Sequence, residues 1–261
     1  MELGLVGKVA LVTGGSDGLG RATAATLAAE GARVAIVARS ASRLEAAAEQ
    51  IRATGAEVVA LPGDVSKAGD CERVVARALE AFGRLDILVN NAGTSMARSF
   101  EEVDDDSWQA DLDLKLFAAI RLIRDAIPHM RRVGGGRIVN ILNIGAKQPG
   151  GSSVPTSVSR AAGLALTKAL SKQYATEGIL VNAVLIGVVR SGQHERRWER
   201  EGRPGTLEQF YERMARERAV PVGRVAEASE LADLVAFLVS ERARYVTGVA
   251  INFDGGASAV V

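Results

Sequence analysis

Seven short runs along the chain are apolar at nearly every position. They are VALV at 9–12, VAIV at 34–37, EVVAL at 57–61, DILV at 86–89, RIVNIL at 137–142, ILVNAVLI at 179–186 and VAINF at 249–253. β-Branched residues dominate them. An unbroken apolar run, in place of strict alternation, marks a strand buried on both faces, as in a parallel sheet. Between the runs, Ala-, Leu- and Glu-rich stretches repeat their apolar residues at helical spacing. They predict helices near 18–30, 41–53, 67–82, 104–132, 157–177 and 227–239. Strands that alternate with helices predict an α/β chain: a doubly wound parallel sheet of seven strands (Rossmann), in a single domain over 1–261. No linker, internal repeat or low-complexity segment breaks the alternation. The one long insert expected to be irregular is 187–220, rich in Arg and Glu. It follows the sixth strand, at the edge where such sheets bind ligands, and suits a substrate lid.

Composition narrows the picture further. The 261 residues are 48% apolar and carry a formal net charge of +1, which supports a folded core and gives no reason to expect a nucleic-acid partner. The Arg-rich run at 196–203 reads as a solvated face. Cys71 is the only cysteine, so neither a disulfide framework nor a cysteine metal cluster is expected, and a reducing cytoplasm is the simple inference. The N-terminal MELGLVGKVALVTGG enters a strand directly and shows no signal peptide. No apolar run reaches the roughly 18 residues of a membrane span.

Residues 13–20, TGGSDGLG, follow the first strand and open the first helix. Glycines there let the backbone turn tightly and approach a pyrophosphate, whose charge suits a helix N-terminus. The glycines Gly14, Gly18 and Gly20 are separated by three residues and then one, the pattern TGxxxGxG. With NNAG at 90–93 after the fourth strand, GRIVNI at 136–141 and the C-terminal segment 220–256, this spacing resembles the short-chain dehydrogenase/reductase family almost from end to end. The resemblance implies a dinucleotide held by Gly14, Ser16, Gly18, Leu19 and Gly20, with Asp64 and Val65 at the adenine. It adds Asn91, Ala92 and Gly93 beside the cofactor, Arg160 at the ribose, and Gly187 and Ser191 on the nicotinamide side. The proline that precedes this last glycine in the family is Ile186 here.

The choice of dinucleotide turns on the end of the second strand, VARS at 37–40. Members that prefer NAD usually have an Asp where Ala38 stands. Arg39 suits a 2′-phosphate instead, and Ser16 and Ser40 offer hydroxyl donors. Against this, Asp17 stands where many NADP users have a basic residue. The reading is NADP, with NAD as the alternative; an ordinary exposed arginine is the other reading of Arg39.

At the chemical end the resembled family uses a serine, a tyrosine, a lysine and an asparagine. Carried over residue by residue, the serine position is Asn143, the tyrosine position Thr156, the lysine position Arg160 and the asparagine position Lys115. The chain's three tyrosines are Tyr174, Tyr211 and Tyr245, and none has a lysine four residues on. Threonine is a far weaker acid than a phenol, and arginine stays charged and does not shuttle protons. A proton must therefore come from elsewhere. Lys115 is the candidate, tuned toward neutrality by a neighbouring Arg160; alternatively it is only the i,i+4 ion-pair partner of Asp111. Lys147 reads as a surface lysine, His194 and Glu195 as lid residues, and His129 as structural.

The leading expectation is an NADP-dependent oxidoreductase with an atypical site, acting on a carbonyl or activated double bond of a small molecule. A dinucleotide-binding sensor or partner subunit without turnover is the second reading, and a lyase on the same fold the third. The resemblance also implies a homo-oligomer, a tetramer or a dimer, built through the helices at 104–132 and 157–177 and the C-terminal helix and strand.

Overall fold

A computed structural model describes residues 2–96 and 98–261. The seven expected strands are present: β1 (Val9–Thr13), β2 (Arg33–Ala38), β3 (Val58–Pro62), β4 (Ile87–Asn90), β5 (Gly136–Asn143), β6 (Ile179–Ile186) and β7 (Ala250–Phe253). They form one sheet in the order β3-β2-β1-β4-β5-β6-β7, with every neighbouring pair parallel. β1 is buried at all five positions, as its unbroken apolar run requires.

Helices cover both faces. On one side α1 (Gly18–Ala29), α2 (Ala41–Arg52) and α9 (Ala228–Val239) bury Leu27, Leu44, Ile51, Leu231 and Val235 against the sheet. On the other, α3 (Ala68–Phe82), α5 (Ala118–Arg132) and α6 (Val154–Tyr174) flank the sheet, with Val74, Leu122, Ile123 and Met130 in its core. Each such Leu or Ile contributes about 1.5–3 kcal/mol by leaving water. The chain winds outward from β1 to β3, then returns to β4 and winds the other way. The crevice therefore opens above the ends of β1 and β4, where doubly wound sheets bind ligands.

Three expectations are corrected. The long helix expected at 104–132 is α4 (Asp105–Leu112) and α5 joined by one π-helical turn, Asp113–Phe117. The helix expected from 157 begins earlier, at Val154, with Pro155 in its first turn, where a missing N–H costs nothing. Thr156 and Arg160 thus lie on a helix. The insert at 187–220 is not irregular: it folds into α7 (Gly192–Arg200) and α8 (Leu207–Glu217), nine α-helices in all among the described residues. The Glu and Arg that made it look like a loop pair along the helices, as Arg197 does with Glu201, and α8 starts on a capping box of Thr206 and Gln209. No helix among the described residues is long and apolar enough to cross a membrane.

Candidate active site

The glycine turn ends β1 and starts α1. Gly14 has φ +69° and Gly18 φ +50°, a region that side chains disfavour. A Cβ on Gly20 would lie 2.6 Å from Asn91 Nδ2, so only glycine lets this turn pack under the NNAG loop. That loop is tied down by Thr13, which opens the glycine motif but has no role assigned from sequence. The Thr13 hydroxyl accepts the N–H groups of Asn91 (2.9 Å) and Ala92 (3.0 Å), and the Thr13 carbonyl accepts the Asn91 amide (2.9 Å). Asn91 is therefore a brace as well as a wall. Val65 is buried, and Asp64 Oδ1 accepts from the Ser66 N–H and hydroxyl. Arg39 and Ser40 are exposed between β2 and α2. Gly187 lies against Asp254, and Ser191 caps α7 next to Gly18. Gly14 and Gly18 follow β1, Arg39 and Ser40 follow β2, Asp64 and Val65 follow β3, Asn91 to Gly93 follow β4 and Gly187 follows β6, so all stand past the C-terminal ends of strands, where such sheets bind ligands. A flat, glycine-lined backbone at a helix N-terminus, with exposed arginine at the β2 edge, fits a dinucleotide phosphate.

The four positions assigned to chemistry come from three elements. The π-helical turn delivers Lys115; such turns insert one residue and redirect a side chain, and they favour functional sites. The Lys115 side chain is fully buried. Its Nζ donates to Asp111 and, at 2.8 Å, to Thr156 Oγ1 across to α6. Asp111 also accepts from the Ser159 hydroxyl at 2.7 Å. Thr156 Oγ1 accepts a second hydrogen bond from the Met96 N–H at 3.2 Å. A hydroxyl oxygen has two lone pairs and one hydrogen. With both lone pairs engaged, the Thr156 hydrogen is left to donate. Asn143 ends β5, and its Oδ1 is buried without a hydrogen-bond partner among the described residues.

Arg160 lies one turn beyond Thr156 and donates to the Ile141 carbonyl at 3.0 Å. Its guanidinium packs on the backbone of Gly93, where a Cβ would collide with Nη2. Burial draws the Arg160 pKa down to about 10, with Asp111 acting against it, so Arg160 stays charged at neutral pH. The Lys115 pKa is lowered, chiefly by burial. Asp111 opposes the shift and Arg160 adds to it. Lys115 is thus the ion-pair partner of Asp111 and also lies near Arg160, but burial, not Arg160, is the main cause of the shift.

Other candidates fall elsewhere. Lys147 is not a free surface lysine: its Nζ donates to the Ala250 carbonyl and Asn252 Oδ1, both at 3.0 Å, tying the loop after β5 to β7. His194 packs edge-on to Tyr211 with ring centroids 6.5 Å apart, and burial lowers its pKa. His129 sits in the last turn of α5 against Arg132. Arg196 is exposed, as a solvated face requires, and also pairs with Asp17 at 3.1 Å.

The match to the family model described as short chain dehydrogenase spans residues 8–202, from β1 through α7. The chain belongs to the short-chain dehydrogenase family. An uncharacterised oxidoreductase of Thermotoga maritima is 35% identical over 258 residues, 97% of this chain and 98% of that one. Among solved structures, L-sorbose reductase from Gluconobacter frateurii, complexed with NADPH and L-sorbose, superposes with a TM-score of 0.95 at 35% identity and full coverage of both chains. A short-chain oxidoreductase of Pseudomonas aeruginosa PAO1, NADPH-bound and described as containing an atypical catalytic center, superposes with a TM-score of 0.92 at 35% identity. The match covers 98% of this chain and 99% of that one.

Proposed function

We propose that this short-chain dehydrogenase family member is an NADPH-dependent reductase of a small-molecule carbonyl or activated double bond, in which Lys115 and Thr156 replace tyrosine as the proton source. The observation that carries the reading is the hydrogen bond from Lys115 Nζ to Thr156 Oγ1, which leaves the Thr156 hydrogen to donate. NADPH, the dinucleotide in both solved relatives, supplies a hydride to the substrate carbon when bound. The chain's own residues do the rest. Thr156 donates its hydroxyl hydrogen to the substrate oxygen and passes that proton across as the oxygen becomes an alcohol. Lys115 Nζ returns a proton to Thr156 Oγ1 and is left as a neutral amine beside Asp111. Its lowered pKa makes that transfer easier than from an ordinary lysine. Arg160 keeps its charge and offsets the negative charge that builds on the oxygen, and the Asn143 amide offers a further donor. Gly14, Ser16, Gly18, Leu19, Gly20, Asp64, Val65, Asn91, Ala92, Gly93, Gly187 and Ser191 hold the cofactor in this reading, and α7 and α8 form the lid.

The exposed Phe117 and Val158 lie on the helical segments expected to pair between copies, so the same reading includes a homo-oligomer. A second reading has its own support. Lys115 and Asp111 are both almost wholly buried as a closed ion pair, which suits a structural role in a dinucleotide-binding protein without turnover. Turnover decides between them. NADPH oxidation is followed with a panel of ketones, ketoses, quinones and activated alkenes, after calorimetry has established NADPH binding. Substrate-dependent oxidation supports the reductase; tight NADPH binding without oxidation across the panel supports the second reading.

A further inference from the structure

The glycine turn carries a carboxylate where a phosphate would call for positive charge. Asp17 Oδ1 accepts the Gly18 N–H at 2.7 Å, capping α1. Its Oδ2 accepts from two guanidiniums, Arg43 at 3.2 Å and Arg196 at 3.1 Å. Arg43 comes from the first turn of α2 and Arg196 from α7, and Gly192 of α7 packs directly on Asp17. One carboxylate oxygen thus joins three elements: the glycine turn, the helix after β2 and the lid. Arg43 bridges the gap between the end of β2 and the glycine turn. If the pyrophosphate lies on α1 and the adenine by Asp64, that gap is where the adenosine ribose lies.

The charges there balance a particular group. Arg39, Arg43 and Arg196 against Asp17 leave two positive charges. A phosphate monoester carries about 1.5 to 2 negative charges near pH 7. A ribose hydroxyl carries none. Exposed ion pairs of this kind contribute little each, so Arg43 can turn from a carboxylate to a phosphate at little cost.

We propose that Arg43, positioned by Asp17, is a second recognition residue for the 2′-phosphate of NADP(H) beside Arg39, and that Arg196 couples this recognition to the lid. The proposal rests on the cofactor reading above. The phosphate draws Arg43 toward itself, and Asp17 is left to Arg196 alone. An unshared carboxylate holds its remaining partner more firmly, so the lid closes more tightly over NADPH than over NADH. The lid's other hold on the crevice is Gln193, which donates to the Gly93 carbonyl at 3.2 Å and accepts the Ser95 N–H at 3.3 Å; it is indifferent to the 2′ position.

The test compares wild type and Arg43→Ala by calorimetry with NADPH and NADH, and by the rate of trypsin cleavage of the lid between Arg196 and Arg203 with each dinucleotide saturating. Arg43 is exposed, so the variant folds. The expected result is about a tenfold to hundredfold weaker Kd for NADPH in the variant, the loss of a charge-assisted phosphate contact. NADH should stay within about twofold. NADPH should protect the wild-type lid more than NADH does, and that difference should vanish in the variant. A variant that keeps the full preference for NADPH, or equal protection of the wild-type lid by the two dinucleotides, overturns the inference while the cofactor reading stands. A wild type that binds neither dinucleotide overturns both.

Discussion

Lys115 Nζ donates to Thr156 Oγ1 at 2.8 Å, joining a π-helical turn to the first turn of α6 across 41 residues of chain. The bond places a buried, charged donor directly behind a hydroxyl whose lone pairs are both taken.

Lys115 and Asp111 form a buried ion pair, so removing one partner strands the other. Lys115→Met should cost about 3–5 kcal/mol, because it leaves an uncompensated buried carboxylate. The double variant Asp111→Leu with Lys115→Met should recover most of that loss, since apolar replacement of a buried pair is often neutral. Urea denaturation of the three proteins checks this. Recovered stability without recovered turnover separates the chemical role of Lys115 from its structural one.

The pH dependence has a definite sign. Burial holds the Lys115 pKa below the ordinary lysine value of 10.5. In the proposed mechanism reduction uses the ammonium form, so kcat for reduction should fall as pH rises through that lowered value, on an alkaline limb below 10.5. In Lys115→Arg the guanidinium does not titrate in this range, and whatever turnover remains should lack the limb. Stability moves the opposite way. Between the lowered folded value and 10.5 the unfolded chain binds more protons, so Lys115 makes the fold more stable as pH rises across that window. A pH–rate profile and urea midpoints over the same range check both signs.

How far this pair could be read from sequence is instructive. The strand runs were unambiguous because a sheet covered on both faces needs continuous apolar residues, and β1 to β7 lie within a residue or two of their predicted places. The positions of Lys115, Thr156 and Arg160 followed from counting along motifs. Two things were not legible. The π-helical turn has no sequence signature, so the resemblance brings Lys115 and Thr156 to one site without indicating the direct bond between them. α7 was hidden because it is rich in Arg and Glu with few apolar residues; α8, by contrast, has Leu207, Phe210, Tyr211, Met214 and Ala215 at helical spacing behind the Thr206 and Gln209 capping box, a pattern that is legible in the sequence. Asp17 looked like an argument against a phosphate because its two arginine partners lie 26 and 179 residues away.

Gly93 is predicted to matter through Arg160. In Gly93→Ala the new methyl group collides with Arg160 Nη2, so the guanidinium must shift from its present place beside the Ile141 carbonyl. NADPH affinity should fall about tenfold, the worth of one charge-assisted contact. Calorimetry with a crystal structure of the variant checks this; unchanged affinity with Arg160 in place would contradict it.

Cys71 is buried and donates to the Val65 carbonyl, and burial pushes its thiol pKa up to about 11. The thiolate is the reactive form. A thiol reagent at pH 8 should label no cysteine in the folded protein and one per chain in urea. Rapid labelling of the folded protein would show that the packing of α3 on the sheet is looser than described.

The central claim is that a hydride moves in this chain and that Thr156, fed by Lys115, supplies the proton. The most direct measurement is deuterium transfer from 4-deuterated NADPH into product by mass spectrometry, in wild type, Thr156→Ser and Thr156→Val, with NADPH binding confirmed in each. The account predicts label in the wild-type product and near-normal transfer in the serine variant. In the valine variant, which has the shape but no hydroxyl, transfer should slow by about 10²–10⁴. Equal transfer in wild type and Thr156→Val, or none in a wild type that binds NADPH tightly, would contradict it.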